Sequence, residues 1–159
     1  MLNGEECNIP FLKLEGVDPV SIKVFQAFFK TMRLHSQLIF NKTLENGIYP
    51  GQAVSLWFIH QQPGISQRDL AKKMHVAPPT VTNMLQKLEK IGFIERKIDE
   101  RDQRLIHIYL KEQGINMLNK LKITFAEIVN ISLQGLDQKQ QNDLVQMLEK
   151  ISLNIMKEL

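Results

Sequence analysis

With 159 residues, 43% of them hydrophobic and 23% charged, the chain can bury one core and is too apolar to stay disordered. Its single cysteine, Cys7, excludes an internal disulfide framework and a cysteine-rich zinc site, and fits a reducing compartment. The net charge of +3 is concentrated between Ser66 and Arg104, where nine bases accompany six acids and the remaining residues sum to zero; that suggests a phosphate-facing module in a neutral scaffold.

Residues 1–17 mix Gly, Pro and charge without period and read as an irregular arm. The N-terminus has acids where a signal peptide needs bases, and no apolar run approaches the ~18 residues of a membrane span. A soluble, cytoplasmic protein with no membrane partner is therefore expected. From Pro19 to Asn46, apolar residues recur at three- and four-residue steps, among them Ile22, Phe25, Phe29 and Met32, predicting a long amphipathic helix stopped near Asn46-Gly47. A second helix fits Pro50 to Gln62, with Val54, Leu56, Trp57 and Phe58 giving an almost all-round apolar surface before Pro63-Gly64 breaks it. Ser66 then reads as the N-cap of a short helix whose first turn carries Asp69 and whose inner face is Leu70, Ala71 and Met74.

Ala77-Pro78-Pro79-Thr80 opens the next helix. Its apolar positions, Val81, Met84, Leu85, Leu88 and Ile91, lie at offsets 0, 3, 4, 7 and 10, and Gly92 stands where a left-handed terminator belongs. Ala77 has no oxygen to cap with, but Pro78 and Pro79 bring no N–H, which removes two of the four orphan donors at this end. After Gly92 the period changes to two. Ile94, Arg96 and Ile98, then Ile106, Ile108 and Leu110, predict a β-hairpin with the charged tip DERDQR (99–104). The remainder predicts two helices, one from about Lys111 through Leu133 and one from about Gln138, the second striped by Leu144, Val145, Leu148, Ile151 and Ile155.

Two short helices joined by a tight turn and followed by a charged hairpin describe a winged helix-turn-helix, whose second helix enters the DNA major groove. Removing the apolar stripe from helix 78–91 leaves Pro78, Thr80, Thr82, Asn83, Gln86, Lys87 and Lys90 facing out, with Glu89 the one acid there. Asn83 and Gln86 can pair bidentately with adenine, Thr methyls can touch thymine methyls, and Lys87 and Lys90 suit phosphate. The expected fold class is mainly α with a small β-hairpin, a winged helix-turn-helix flanked by long helices.

From about Pro50 to Gly114 the chain resembles the MarR family of transcriptional regulators. The resemblance is carried by Gln52 and Leu56, by PGISQRDLA (63–71) and VAPPTVTNMLQKLEKIGFIERK (76–97), by the D-x-R-D-x-R form of the wing, and by LKEQG (110–114). It implies that Arg101 enters the minor groove, where narrow A·T tracts concentrate negative potential. It further implies that Asp99, Asp102 and Arg104 brace the wing by ion pairs. Thr80, Thr82, Asn83 and Lys87 would face the major groove, and Gln67 and Arg68 would lie near phosphates. Three positions depart from the family's pattern: His75 stands for a turn glycine, Ala77 for a capping serine, and Lys111 for the threonine that opens the following helix.

The flanking helices hold more apolar residues than one lobe can cover, including Phe25, Phe28, Phe29, Phe125, Ile128, Ile131, Leu136, Leu148, Ile151 and Ile155. An intrachain bundle and an intersubunit interface both answer that excess; the resemblance implies a two-fold homodimer matched to a pseudo-palindromic operator. The corresponding division is an arm (1–18), a dimerisation helix (19–48), a DNA-binding lobe (49–111) and C-terminal dimerisation helices (112–159). The resemblance also implies a repressor of its own and neighbouring genes, released by a small aromatic or phenolic ligand near the first two helices, where His35, Trp57 and His60 are candidate lining residues. A thiol- or metal-responsive regulator of the same fold, and a winged helix used only for protein contacts, are the alternatives. Cys7 has no evident base beside it, and the four histidines show no metal-binding spacing. No nucleophile–base pair, catalytic carboxylate pair, phosphate-cradling glycine loop or metal box is present, so neither an enzyme nor a cofactor is expected.

Overall fold

Proline and short polar side chains start the helices where the sequence places them. In the computed structural model, which describes residues 15–99, 102 and 105–159, α1 spans Pro19–Glu45 behind Asp18, whose carboxylate accepts the Ser21 backbone N–H at 2.9 Å. Helix α2 spans Pro50–Gln61, its start closed by Gln52 Oε1 accepting the Tyr49 N–H at 3.0 Å. Strand β1 is Ile65–Ser66, α3 Gln67–Met74, α4 Pro78–Lys90, β2 Ile94–Ile98 and β3 Ile106–Leu110. Helix α5 runs Glu112–Leu133 and α6 Gln138–Met156. Asp137 and Gln140 cap α6 reciprocally, at 2.8 and 2.9 Å.

The two-residue β1 is absent from the sequence reading. It exists because Gly64 N–H donates to the Ile108 carbonyl (2.9 Å) and the following residues pair with β3, giving an antiparallel sheet of order β1-β3-β2. The β2–β3 register opposes Ile94 to Leu110, Arg96 to Ile108 and Ile98 to Ile106 on one face, and Glu95 to Tyr109 and Lys97 to His107 on the other.

The chain divides into two units, one up to Thr124 and one from Phe125 to Leu159. In the first, Leu56 and Ile59 of α2, Leu70 and Ala71 of α3, Val81, Leu85 and Leu88 of α4, Ile94, Ile108, and Leu118 and Leu121 of α5 form one buried cluster. Each fully buried Leu or Ile in it contributes about 1.5–3 kcal/mol. Several members of the expected stripes lie outside it, two of them at the ends of packed segments. Ile91 is 46% exposed because it caps α4 beyond the last turn, and Ile98 is 65% exposed because it stands at the outer end of β2. Gly114, buried in the first turns of α5, approaches the Phe93 carbonyl so closely that a Cβ there would overlap it, and the same carbonyl accepts the Lys111 N–H at 3.0 Å. That contact seats α5 on the α4–β2 junction.

Helix α1 buries only Thr43 among its 27 residues, while Val20, Val24, Phe25, Phe29 and Met32 are exposed. In the second unit, Phe125, Ile131, Leu148 and Ile155 are exposed and Ile151 is half-buried. The expected apolar excess is therefore real, with three members as exceptions: Ile128 is 2% exposed, and Phe28, like Ile151, is half-buried. Among the described residues no helix is long and apolar enough to cross a membrane.

Candidate nucleic-acid interface

The turn between α3 and α4 is shaped by a single backbone choice. His75 closes α3 with φ 52° and ψ 40°, the one non-glycine left-handed residue among those described. The Val76 N–H reaches back to the Ala71 carbonyl at 3.2 Å and the His75 N–H to Lys72 at 3.1 Å. At the other end of α3, Ser66 Oγ accepts the Asp69 N–H (3.1 Å) and donates to the Asp69 carboxylate (2.7 Å). That hydroxyl, ahead of Lys72 and Arg68, holds the Asp69 carboxyl below its ordinary pKa. Helix α4 begins with Ala77 making no side-chain cap and two prolines in its first turn, and Gly92 follows it at φ +77°.

Burying Val81, Leu85 and Leu88 rotates Pro78, Thr80, Asn83, Gln86, Lys87 and Lys90 to the exposed side. Asn83, Gln86, Lys87 and Lys90 border one shallow depression of about 270 Å³. A larger one, about 610 Å³, lies where the first turn of α3, Pro78 and the base of the wing meet, and it includes Gln67, Arg68 and Lys72. Gln67 and Thr82 differ from the rest of the set: Gln67 Nε2 donates to Thr82 Oγ1, which donates to the Pro78 carbonyl at 3.1 Å. Their polar groups thus tie the starts of α3 and α4 together. Glu89 is turned to β2, where its Oε2 lies 3.1 Å from Nε of Arg96. The contact is an ion pair whose angle makes no hydrogen bond, and Arg96 Nη2 is buried without a hydrogen-bond partner among the described residues.

The wing is built around Asp99. Its N–H donates to the Leu105 carbonyl (3.0 Å), its Oδ1 accepts the Asp102 N–H (2.9 Å), and the Leu105 N–H closes on the Asp102 carbonyl (2.9 Å). Asp99 Oδ2 also meets His107 Nε2 at 2.8 Å, and His107 Nδ1 meets the Gly64 carbonyl at 2.8 Å. The Gly64 carbonyl, then Asp99, hold the His107 pKa above its ordinary value. Arg101 and Arg104, the proposed groove residue and a proposed brace, lie outside the described residues, as does Cys7. His107, Arg96 and Glu89 were missed as wing supports by the sequence reading; the period of two already put Arg96 in line with Ile94 and Ile98, whereas a strand register was needed to place His107 beside Asp99.

Trp57, 45% exposed, and His60 lie one turn apart on the outer side of α2, and His35 is exposed on α1. Among the described residues no group of three His, Cys, Asp or Glu side chains is arranged to hold a metal ion.

Residues 48–106 match the MarR family. The HTH-type transcriptional regulator BilQ of Clostridium symbiosum (strain WAL-14163) is 28% identical over 127 residues, 79% of this chain and 88% of its own length. The HTH-type transcriptional regulator YkoM of Bacillus subtilis (strain 168), itself uncharacterized, is 24% identical over 132 residues, 83% of this chain and 84% of its own. Among solved structures, a MarR transcriptional regulator from Methanosarcina mazei Go1 is 26% identical with a TM-score of 0.70, covering 86% of this chain and 99% of that one. These relatives are regulators rather than enzymes, and their likeness extends beyond residues 48–106 into the flanking helices. Residues 48–106 are thus a MarR-family winged helix, and over most of its length the chain is similar to helix-turn-helix transcriptional regulators.

Proposed function

We propose that the protein is a homodimeric, sequence-specific DNA-binding repressor of its own and neighbouring genes, working in the cytoplasm on a pseudo-palindromic operator. The observation that carries this reading is the exposed row Thr80, Asn83, Gln86, Lys87 and Lys90 on α4, whose one nearby acid, Glu89, is drawn away by Arg96. Asn83 and Gln86 offer the donor–acceptor pairs that read adenine, Lys87 and Lys90 neutralise phosphate, and Arg68 flanks them from α3. Arg101 enters the minor groove, with Asp99, Asp102 and Arg104 holding the wing. Gln67 and Thr82, engaged with each other, link the starts of the two helices, which leaves Gln67 Oε1 and the Thr82 methyl as the groups they would turn to DNA.

Dimerisation is supported by the exposed apolar rows of α1 and, separately, of α6, which a monomer would leave in water. Residues 19–48 and 112–159 then serve association, and 49–111 serve DNA. A small aromatic effector near Trp57, His60 and His35 would release the DNA; the exposed indole supports an apolar partner there.

The test compares two substitutions across a salt series, on operator and random duplex. Asn83→Ala should cost about 1–3 kcal/mol on the operator and little on random DNA, with an unchanged salt slope. Arg101→Ala should weaken both duplexes, most where the flanks are A·T-rich, and reduce the slope by about one ion. Wild-type binding by both variants would refute the assignment.

A further inference from the structure

His107 sits between two groups that can only accept hydrogen bonds. One is the backbone carbonyl of Gly64, just ahead of β1 and α3; the other is the carboxylate of Asp99, from which the wing loop is folded. Both contacts are 2.8 Å, one at each ring nitrogen. A neutral imidazole has one N–H and one lone pair, so in either tautomer a lone pair would face an oxygen at that distance. Only the imidazolium, with two N–H groups, completes the arrangement.

We propose that His107 is a positioning residue of the wing: as an imidazolium it fastens Asp99 to the Gly64 carbonyl, and DNA binding weakens as pH rises and that proton leaves. The consequence for DNA rests on the function proposed above; the fastening itself does not. Losing the proton at Nε2 sets a lone pair against Asp99 Oδ2. The same carboxylate accepts the Asp102 N–H through Oδ1, so its release loosens the turn that contains Arg101 in sequence.

The charged surroundings agree with this reading. Across the sheet from His107 stands Lys97, whose charge is taken up by Glu95 at 2.8 Å and which lies 5.2 Å from the Tyr109 ring centre. On the other side Ser66 pairs with His107 in β1 and is itself occupied by Asp69 of α3. Among the described groups, Asp99 is thus the acid that meets the ring directly. The wing is fully fastened below the ordinary histidine pKa, and the fastening is lost as pH rises through the higher value His107 has when held.

The experiment measures duplex binding at fixed salt from about pH 6 to about pH 8.5, with an NMR titration of the histidine rings in free protein over the same range. Wild-type affinity should fall on the order of three- to tenfold as pH rises, the scale of one charge-assisted hydrogen bond in a partly exposed site. His107→Ala should bind at the wild-type's high-pH level throughout. Asp99→Asn should flatten the profile, whatever level its lost charge sets, because an amide can donate to the neutral ring through Nδ2 while its Oδ1 still accepts the Asp102 N–H. His75→Asn, which removes the histidine of the α3–α4 turn, should titrate like wild type. A His107→Ala profile as steep as wild type, or a His107 ring titrating at or below the ordinary value, would overturn the proposal. If the ring titrates high and the Asp102 amide loses exchange protection with rising pH, but duplex binding is absent at every pH, the fastening stands and the DNA function falls.

Discussion

Replacing Gly114 by alanine should destabilise the protein, although helix propensity alone predicts the reverse. Alanine in a helix interior is favoured over glycine by about 1 kcal/mol. Here, however, the new Cβ would fall inside the 3.0 Å that real Cβ contacts respect, and the atom in its way is the Phe93 carbonyl oxygen rather than a movable side chain. Overpacking of this kind costs about 1–3 kcal/mol, and shifting the Phe93 peptide also strains its 3.0 Å bond from Lys111 N–H, a further ~1 kcal/mol. The net expectation is a loss of about 2 kcal/mol and a fall in Tm of roughly 4–8 °C for a chain of this size. Gly51→Ala is the matched control. Its Cβ would meet Met84 Cε at 2.9 Å, the far end of a flexible side chain, so its effect should stay within about 1 kcal/mol of zero. Urea and thermal unfolding at one fixed protomer concentration would measure both. A Gly114→Ala protein as stable as wild type, or more so, would refute the close approach of α5 to the α4–β2 junction.

Further outcomes follow from other contacts. Glu89→Ala should cost about 1 kcal/mol, discounted because Glu89 is 43% exposed, whereas Arg96→Met should be near neutral because it removes a mostly buried cation whose Nη2 lacks a hydrogen bond; urea midpoints decide. His75→Gly should raise stability by about 0.5–1 kcal/mol in thermal melts, since it relieves a left-handed conformation at the end of α3. Deleting 140–159 should abolish the dimer or cause aggregation in sedimentation; a well-folded truncated dimer would contradict the proposed role of α6.

The helices were legible because their signals are local. Asp69 after Ser66, the prolines at 19, 50 and 78, and Gly92 act within a turn of their own position. The exposed face of α4 could be read by subtracting a stripe whose members Val81, Leu85 and Leu88 are indeed fully buried. Strand β1 was not legible, since two residues carry no period and their strand character comes from Ile108, more than forty positions away. Ile91 and Ile98 kept the period but lay past the ends of their packed segments, which periodicity does not register. The support of the wing depended on cross-strand neighbours. Asp99 was singled out from a pattern, but its partner His107 needed the hairpin register, and the Gly64 carbonyl needed the third strand. Gly114 was visible as a helical glycine, while the sign of its substitution came only from Phe93.

The central claim, that α4 and the wing form a DNA interface, is tested most directly by random-duplex binding measured by fluorescence anisotropy over a salt series. Log affinity should fall linearly with log salt, with a slope of about −0.9 per phosphate neutralised, and the slope should be smaller by about one ion in Lys87→Ala. Folded protein whose duplex affinity is absent or indifferent to salt, or a Lys87→Ala variant indistinguishable from wild type, would contradict it.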